Sequence, residues 1–320
     1  MALSPITDSG GNREEKVRRK QIRMPSRWQE RGFGMSIPDQ TGRTVIVTGG
    51  SSGIGRAAAA AFAKRGARVI LAVRNQDQGR AAAADMPGAA ESRPLDLGSL
   101  DSIRAFARGV EGPIDILINN AGTMTSTLKH TSDGFESQFG VNHLGHFALT
   151  NLLLGQITGR VVTTSSSLHR NAHIDFDDLQ WKHRSYVPFG AYGQSKLASL
   201  LFSAELQRRL TAAGSHVIAT AADPGWVSTG FIVTTGNRLR DAATLIGTKM
   251  LAQRPEAGVR PTLLAATGDV PADAFTAARL LGIRGAATLV ARSDEANDPA
   301  IAKRLWEISE QLTKVTFPRP

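Results

Sequence analysis

The chain contains no cysteine. Disulfides, thiolate metal sites and cysteine nucleophiles are therefore excluded, while the compartment stays undecided on that ground. No run of about 18 apolar residues is present, so no membrane span is expected. The early charges are not followed by an apolar segment, so no secretory signal is expected and cytoplasmic placement is the default. Aromatic residues make up only 6% of the chain and are not interleaved with basic ones. Acidic residues are in deficit, 28 against 38 Lys and Arg, a formal charge of +10. Much of that excess is local. Residues 1–34 hold eight basic side chains, from Arg13 to Arg31, against Asp8, Glu14, Glu15 and Glu30, a net of +4. The remainder is spread thinly, and nucleic-acid binding is not expected as the main function.

A length of 320 residues suits one large α/β domain or two small ones. Residues 1–38 are polar, rich in Arg and Gly, and lack apolar periodicity. They are expected to form a basic, disordered extension, the alternative being a short basic helix from Glu14 to Glu30. Residues 39–320 are then the folded domain.

Within it, Thr44–Thr48 reads as a short buried strand. Gly49, Gly50, Ser51, Ser52, Gly53, Ile54 and Gly55 follow, then an Ala-rich helix from Ile54 to Lys64 closed by Gly66. Strand, glycine turn and helix in that order make a site for a pyrophosphate, because small residues let it reach the backbone N–H groups at the positive helix end. The spacing, Gly-x-x-x-Gly-x-Gly, departs from the common Gly-x-Gly-x-x-Gly. The second strand, Arg68–Val73, ends at Arg74, about 20 residues beyond the glycines, where a nucleotide ribose should lie. An acid there would suit the 2′-hydroxyl of NAD, whereas arginine suits the 2′-phosphate of NADP. Arg74 thus favours NADP(H), with NAD(H) still possible, and Arg56 could add a second positive charge.

Leu95–Leu97 closes a third strand before a helix capped by Ser99 or Asp101. Asp96, with Leu97 beside it, could meet the adenine. A fourth strand, Ile114–Asn119, ends in Asn119, Asn120, Ala121 and Gly122, beside the ligand crevice of an open parallel sheet. Asn142 lies in an apolar helix and needs hydrogen-bond partners. His143 and His146 could suggest a metal pair, but no acidic third ligand accompanies them. They read as packing residues, and no metal is expected.

Strand five, Arg160–Thr164, runs into Ser165, Ser166 and Ser167. A polar loop follows, Leu168–Gly190, read as a rim or lid. Tyr192 and Lys196 come next, four apart on one helix face running to Leu210. A free phenol titrates near pH ~10; moving it by about 3 units takes about 4 kcal/mol, which a neighbouring cation could supply. A Tyr-x-x-x-Lys alone is a frequent coincidence, so its weight depends on what precedes it. Strand six, Val217–Ala221, leads to Asp223, Pro224, Gly225, Val227 and Thr229. The apolar stretch 231–254 reads as a substrate lid or as a helix packing on its own core. The last segment, Asp298–Lys314, reads as a structural helix with Ile301, Leu305, Ile308 and Leu312 on one face.

Taken in order, the Thr48–Gly55 turn, Asn119–Gly122, Asn142, Ser166, Tyr192-x-x-x-Lys196 and Pro224–Gly225 resemble the short-chain dehydrogenase/reductase superfamily over roughly residues 40–315. Val141–Phe147, the enlarged Ser166–Tyr192 interval and Leu305–Glu310 resemble its retinol-dehydrogenase-like and protochlorophyllide-reductase-like branch, of the soluble bacterial type. The chain departs from that branch in two ways. It has no apolar run to serve as the membrane anchor of the animal retinol dehydrogenases. It also lacks the cysteine of light-dependent protochlorophyllide reductases.

The resemblance implies a single-domain, doubly wound Rossmann fold, a parallel sheet of about seven strands in the order 3-2-1-4-5-6-7. It implies an NAD(P)-dependent oxidoreductase, a carbonyl reductase or alcohol dehydrogenase moving hydride between NADP(H) and a small carbonyl or alcohol substrate of apolar character. Tyr192 would be the general acid/base. Lys196 would bind the nicotinamide ribose and lower the phenol's pKa. Ser166 would hold the substrate oxygen, Ser165 and Ser167 being alternatives one position away. Asn142 would anchor a water leading to Lys196. The nucleotide would meet Gly49, Ser51, Ser52, Gly53, Ile54, Gly55, Arg74, Asp96, Leu97, Asn120, Ala121, Gly122, Pro224, Gly225 and Val227, with Thr229 at the carboxamide. A homodimer or homotetramer is also implied. The alternative function is a catalytically idle dinucleotide-binding redox sensor or scaffold.

Overall fold

The computed structural model describes residues 37–225, 254–280 and 284–318. The basic extension therefore lies outside the described residues except for Ile37 and Pro38. The same holds for the 231–254 segment except Arg254, and for Val227 and Thr229.

Strand β1 (Thr44–Thr48) leads into α1 (Gly53–Ala63), β2 (Arg68–Val73), α2 (Gln76–Ala84), β3 (Ala90–Pro94), α3 (Leu100–Gly109) and β4 (Ile114–Asn119). A short α4 (Ser137–Phe139) passes through a π-helical turn, Gly140–Leu144, into α5 (Gly145–Leu153). Then come β5 (Ile157–Thr164), a 3-10 turn (Ser167–Asn171), α6 (Pro188–Ala212) and β6 (Ile218–Ala222). The described remainder is α7 (Pro255–Gly258), α8 (Arg260–Thr267), β7 (Phe275–Leu280), β8 (Arg284–Leu289) and α9 (Pro299–Thr313).

One sheet carries all eight strands in the order β3-β2-β1-β4-β5-β6-β7-β8. Pairings are parallel as far as β7, while β8 returns antiparallel to β7. The expected order of about seven strands is present, and β8 is added at the β7 edge. Its sequence, Arg-Gly-Ala-Ala-Thr-Leu, lacks the apolar run of a central strand, because an edge strand has only one paired side.

Both faces of the sheet are covered, as a parallel sheet requires. Side chains alternate between the faces. Val45 and Val47 join a core with Ala58, Ala59 and Phe62 of α1. Ile46 joins the opposite core with Phe147, Phe202 and Trp306. Helix α1 buries Ile54, Ala58 and Phe62 along one row, and Gly55, Ala59 and Ala63 along the next. Its alanines favour helix and keep the approach to the strands close.

Helix α3 is capped by Ser99, whose hydroxyl accepts from the Ser102 N–H at 3.2 Å, which settles the choice between Ser99 and Asp101. Helix α9 forms as expected and buries Ala302, Leu305, Trp306, Ser309 and Thr313. Ile301, Ile308 and Leu312 are only partly buried. Trp306 enters the aromatic core, and Ser309 meets His143 at 2.8 Å.

Candidate active site

The first wall of the site is the turn between β1 and α1. Gly49 and Gly53 hold positive φ, +67° and +52°, which L side chains adopt at a cost. A Cβ on Gly55 would lie 2.4 Å from the Gly49 carbonyl oxygen and 2.5 Å from Asn120 Nδ2, so only glycine lets helix, turn and β4 meet there. No side chain caps α1, and its first turn carries no acid. Its N–H groups are thus left for an anion.

Beside this turn opens a groove of about 600 Å³ along the carboxyl ends of the strands. Gly49, Ser51 and Ser52 line it at the turn, Arg74 at the end of β2, Asp96 and Leu97 past β3, and Ala121 and Gly122 past β4. Gly53, Ile54, Gly55 and Asn120 stand behind this lining as its frame. Asn120 Nδ2 donates to the Thr48 carbonyl at 2.9 Å. Arg74 is exposed and makes no hydrogen bond or ion pair to the described residues. Arg56, the second cation expected at the ribose, is instead paired with Asp85 at 2.9 Å and lies off the groove. The nearest acid after β2, Asp77, is paired with Arg80. Hydroxyls, a helix N-terminus, a free guanidinium and a groove of this size fit a phosphorylated dinucleotide.

Thr48 went unassigned in the sequence reading, although it carries much of this frame. Its hydroxyl oxygen accepts from the Asn120 and Ala121 N–H groups, each at 2.9 Å, and lies 2.9 Å from His146 Nε2. His146 Nδ1 meets the Asn142 carbonyl at 3.1 Å. Burial pushes His143 down to about 3 and His146 down to about 4, so both stay neutral at ordinary pH. They are core hydrogen-bonding residues.

The second wall is α6. Proline at its first position starts the helix without wasting a donor. Tyr192 and Lys196 share a face, the Lys196 ammonium 5.6 Å from the Tyr192 ring centre. Lys196 Nζ donates to the Thr164 carbonyl at 3.2 Å. A Cβ on Gly122 would lie 3.3 Å from Asn142 Oδ1 and 3.5 Å from Lys196 Nζ, so β4, α6 and the π-helical turn converge at Gly122. Burial lowers Lys196 to about 8. Tyr192 is half-buried, with its hydroxyl on the buried side. That burial, and then the charge of Asp223, raise it above the ordinary phenol value.

Asn142 sits in the π-helical turn, a distortion common at functional sites. Its amide is clasped on both edges. Oδ1 accepts from the Thr123 N–H at 2.7 Å, and Nδ2 donates to the Thr123 carbonyl at 3.0 Å and to Ser195 Oγ at 2.9 Å. Ser195 Oγ in turn donates to the Tyr192 carbonyl at 2.8 Å. Asn142 therefore ties the loop after β4 to the tyrosine helix, with Ser195 as a link the sequence reading did not assign. The serines after β5 divide their tasks. Ser165 is buried and donates to the Lys196 carbonyl at 2.8 Å. Ser166 is half-buried at the head of the 3-10 turn, accepting from the Leu168 N–H at 3.3 Å. Ser167 is exposed. Pro224 and Gly225, the latter at φ +75°, follow β6.

The Leu168–Gly190 rim is held in place by its own polar residues. Asp178 accepts from the Lys182 and His183 N–H groups, and Arg184 lies over the Trp181 ring, 3.8 Å from its centre. The Tyr186 hydroxyl is a hub. It donates to Glu136 Oε1 at 3.0 Å, accepts from Gln138 Nε2 at 2.6 Å and meets Thr125 Oγ1 at 2.9 Å. Glu136 also caps α4 through the Gln138 and Phe139 N–H groups, and Gln138 reaches the Pro188 carbonyl at the head of α6. One phenol thus fixes the rim to both helices that frame the site.

A doubly wound sheet with a dinucleotide groove and a Tyr-Lys pair at its carboxyl edge defines an NAD(P)-binding oxidoreductase. Residues 43–238 match the family model for short chain dehydrogenases, and the chain belongs to that family, in its retinol-dehydrogenase-like branch. It is 42% identical to human retinol dehydrogenase 13 over 292 residues, covering 87% of this chain and 86% of that protein. It is 37% identical to mouse polyprenol dehydrogenase over 297 residues, covering 87% and 85%. Among solved structures, an uncharacterised protein from Mycobacterium paratuberculosis superposes with a TM-score of 0.78 at 49% identity, covering 90% of this chain and 99% of that one. A Beutenbergia cavernae protein described as an NAD(P)-dependent gluconate 5-dehydrogenase, solved with bound NADP, superposes at 0.55 with 27% identity, covering 72% and 91%.

Proposed function

We propose that this chain interconverts an apolar carbonyl compound and its alcohol with NADP(H), using Tyr192 as the general acid/base. The observation that carries the reading is the convergence of Tyr192, Lys196, Gly122 and the serine turn beside a dinucleotide groove. Bound in that groove, the nicotinamide supplies or accepts the hydride. The residues do the rest. Ser166 holds the substrate oxygen and, with Tyr192, meets the negative charge that develops on it. Tyr192 gives that oxygen its proton in reduction and takes it back in oxidation. Lys196 places a positive charge beside the phenol and favours its ionised form. The Asn142 clasp on Thr123 and Ser195 holds the nicotinamide end of the groove against α6. Pro224 and Gly225 close its far side, with Val227 and Thr229 continuing from them outside the described residues.

Two further features support the finer reading. Free Arg74 at the ribose end, with no acid beside it, suits a 2′-phosphate. Leu128, Leu168, Val187 and Phe189 leave 37–55% of their surface exposed on segments that border the crevice. Exposed apolar side chains on such segments suit an apolar substrate. The 2′-phosphate assignment predicts that Arg74→Ala weakens NADPH binding by roughly tenfold to a hundredfold, the range of a lost charged hydrogen bond. NADH affinity should stay as it is. Parallel calorimetric titrations check this, and an equal loss for both nucleotides would place the 2′-phosphate elsewhere.

A further inference from the structure

The buried acid at the end of β6, Asp223, has no part in the mechanism above. We propose that Asp223 is a positioning residue for this reaction: its carboxylate joins the serine turn after β5 to the Pro224–Gly225 turn after β6 and sets the charge against which Tyr192 and Lys196 exchange protons. This rests on the proposed reaction and deepens it.

The geometry begins with strand register. Thr164 of β5 lies opposite Ala222 of β6, so Ser165 and Asp223 leave the sheet side by side. The Ser165 N–H donates to the Ala222 carbonyl at 2.8 Å, and the Asp223 N–H donates to the Thr276 carbonyl at 2.8 Å. The backbone on both sides is therefore fixed. The Asp223 side chain is 4% exposed. Its Oδ1 accepts from the Gly225 N–H at 2.8 Å, closing the turn that places Gly225 at positive φ. The Ser167 backbone N–H lies close enough to favour the charged form of this carboxylate. This side chain therefore closes the turn at the proposed nicotinamide wall, beside the serine turn that the Ser165–Ala222 bond holds next to it.

No described cation pairs with Asp223 directly. Lys196 from α6 and Arg170 from the 3-10 turn act on it from a distance. Lys196 is engaged by the Thr164 carbonyl and Arg170 by the Ala291 carbonyl at 2.6 Å. Tyr192 of α6 is the other titratable group facing it, and its neighbours on β7 and the following turn, Thr276, Pro224 and Gly225, are uncharged. His169 of the 3-10 turn, pushed down to about 4 by burial, is neutral. A negative charge here disfavours the Tyr192 phenolate and favours the Lys196 ammonium, so it raises the titration of both. Burial lifts Asp223 itself to about 6, so this charge is lost on mild acidification.

The test is the pH dependence of kcat/KM for oxidation of a long-chain apolar alcohol with NADP⁺, in wild type, Asp223→Asn and Asp223→Glu. Asparagine keeps an acceptor oxygen for the Gly225 N–H and removes the charge. Its rising limb should move to lower pH by about one unit, and the wild-type inflection near pH 6 should vanish. Glutamate keeps the charge and displaces the turns. Its limb should stay at the wild-type pH while the rate falls. An Asn profile that superposes on wild type overturns the proposal, as does a Glu profile shifted like that of Asn. If the Asn variant does not fold, the wild-type inflection and the Glu profile decide. Wild type that binds NADP⁺ but turns over nothing at any pH refutes the proposed reaction itself. Turnover with an unmoved Asn profile refutes only the role of Asp223.

Discussion

Replacing Tyr192 by phenylalanine is expected to lower kcat by about a hundredfold to ten-thousandfold, the usual contribution of a positioned general acid or base. The ring remains, so packing on α6 and the Ser195 contact to the Tyr192 carbonyl are preserved. NADPH affinity should change little, because Lys196 and the glycine turn are untouched. In the free protein the phenol stands above its ordinary value, through burial and the Asp223 charge, and Lys196 stands at about 8. An oxidised nicotinamide would add positive charge beside both and pull the phenol down. The loss in Tyr192→Phe should therefore be steepest for alcohol oxidation at neutral pH, where the base form is needed. Steady-state kinetics in both directions, with cofactor binding measured separately, check this. A loss of less than tenfold would remove Tyr192 from the proton path.

Trp306→Ala is expected to cost about 3–5 kcal/mol of stability, the range for truncating a buried aromatic side chain. Trp306 is 1% exposed. Its ring lies edge-on to Phe147 at 4.8 Å, stacks on Phe202 at 5.7 Å and is covered by Arg209 at 4.5 Å. Its Nε1 donates to Glu310 Oε1 at 2.9 Å, which also accepts from the Phe317 N–H. Helix α9 packs along α6, so this contact supports the helix bearing Tyr192 and Lys196. Urea unfolding checks the prediction. The midpoint should fall with the slope unchanged. A cost below about 1 kcal/mol would mean that the surrounding rings close over the gap.

The parts that could be read from the sequence share a local cause. The β1–glycine–α1 unit is written in consecutive residues, since a buried run, a tight turn and an Ala-rich helix each have their own composition. Tyr192 and Lys196 lie four apart on one helix, so their pairing needed no knowledge of the fold. What escaped depends on contacts distant in sequence. Thr48 looks like any strand residue until β4 brings two N–H groups to its hydroxyl. Arg56 offers a second charge near the ribose in the sequence, whereas its pairing with Asp85, 29 residues on, depends on the fold. The Ile and Leu pattern of α9 gave its core-facing side, but not that Trp306 beside it enters the aromatic core of α5 and α6. Strand β8 carries no apolar run and lies at the sheet edge among the described residues. Asp223 was visible in its motif, but its burial and its place between two turns appear only once β5 and β6 are side by side.

The most direct test of the central claim is label transfer. Wild-type protein would be incubated with NADPH deuterated at the reactive carbon of the nicotinamide and a long-chain apolar aldehyde, and the alcohol examined by mass spectrometry. Deuterium on the carbinol carbon, accumulating at least about a hundredfold more slowly with Tyr192→Phe, is the predicted result. Tight NADPH binding with no labelled alcohol from any aldehyde or ketone supplied would contradict it. The chain would then be a dinucleotide sensor built on an oxidoreductase frame.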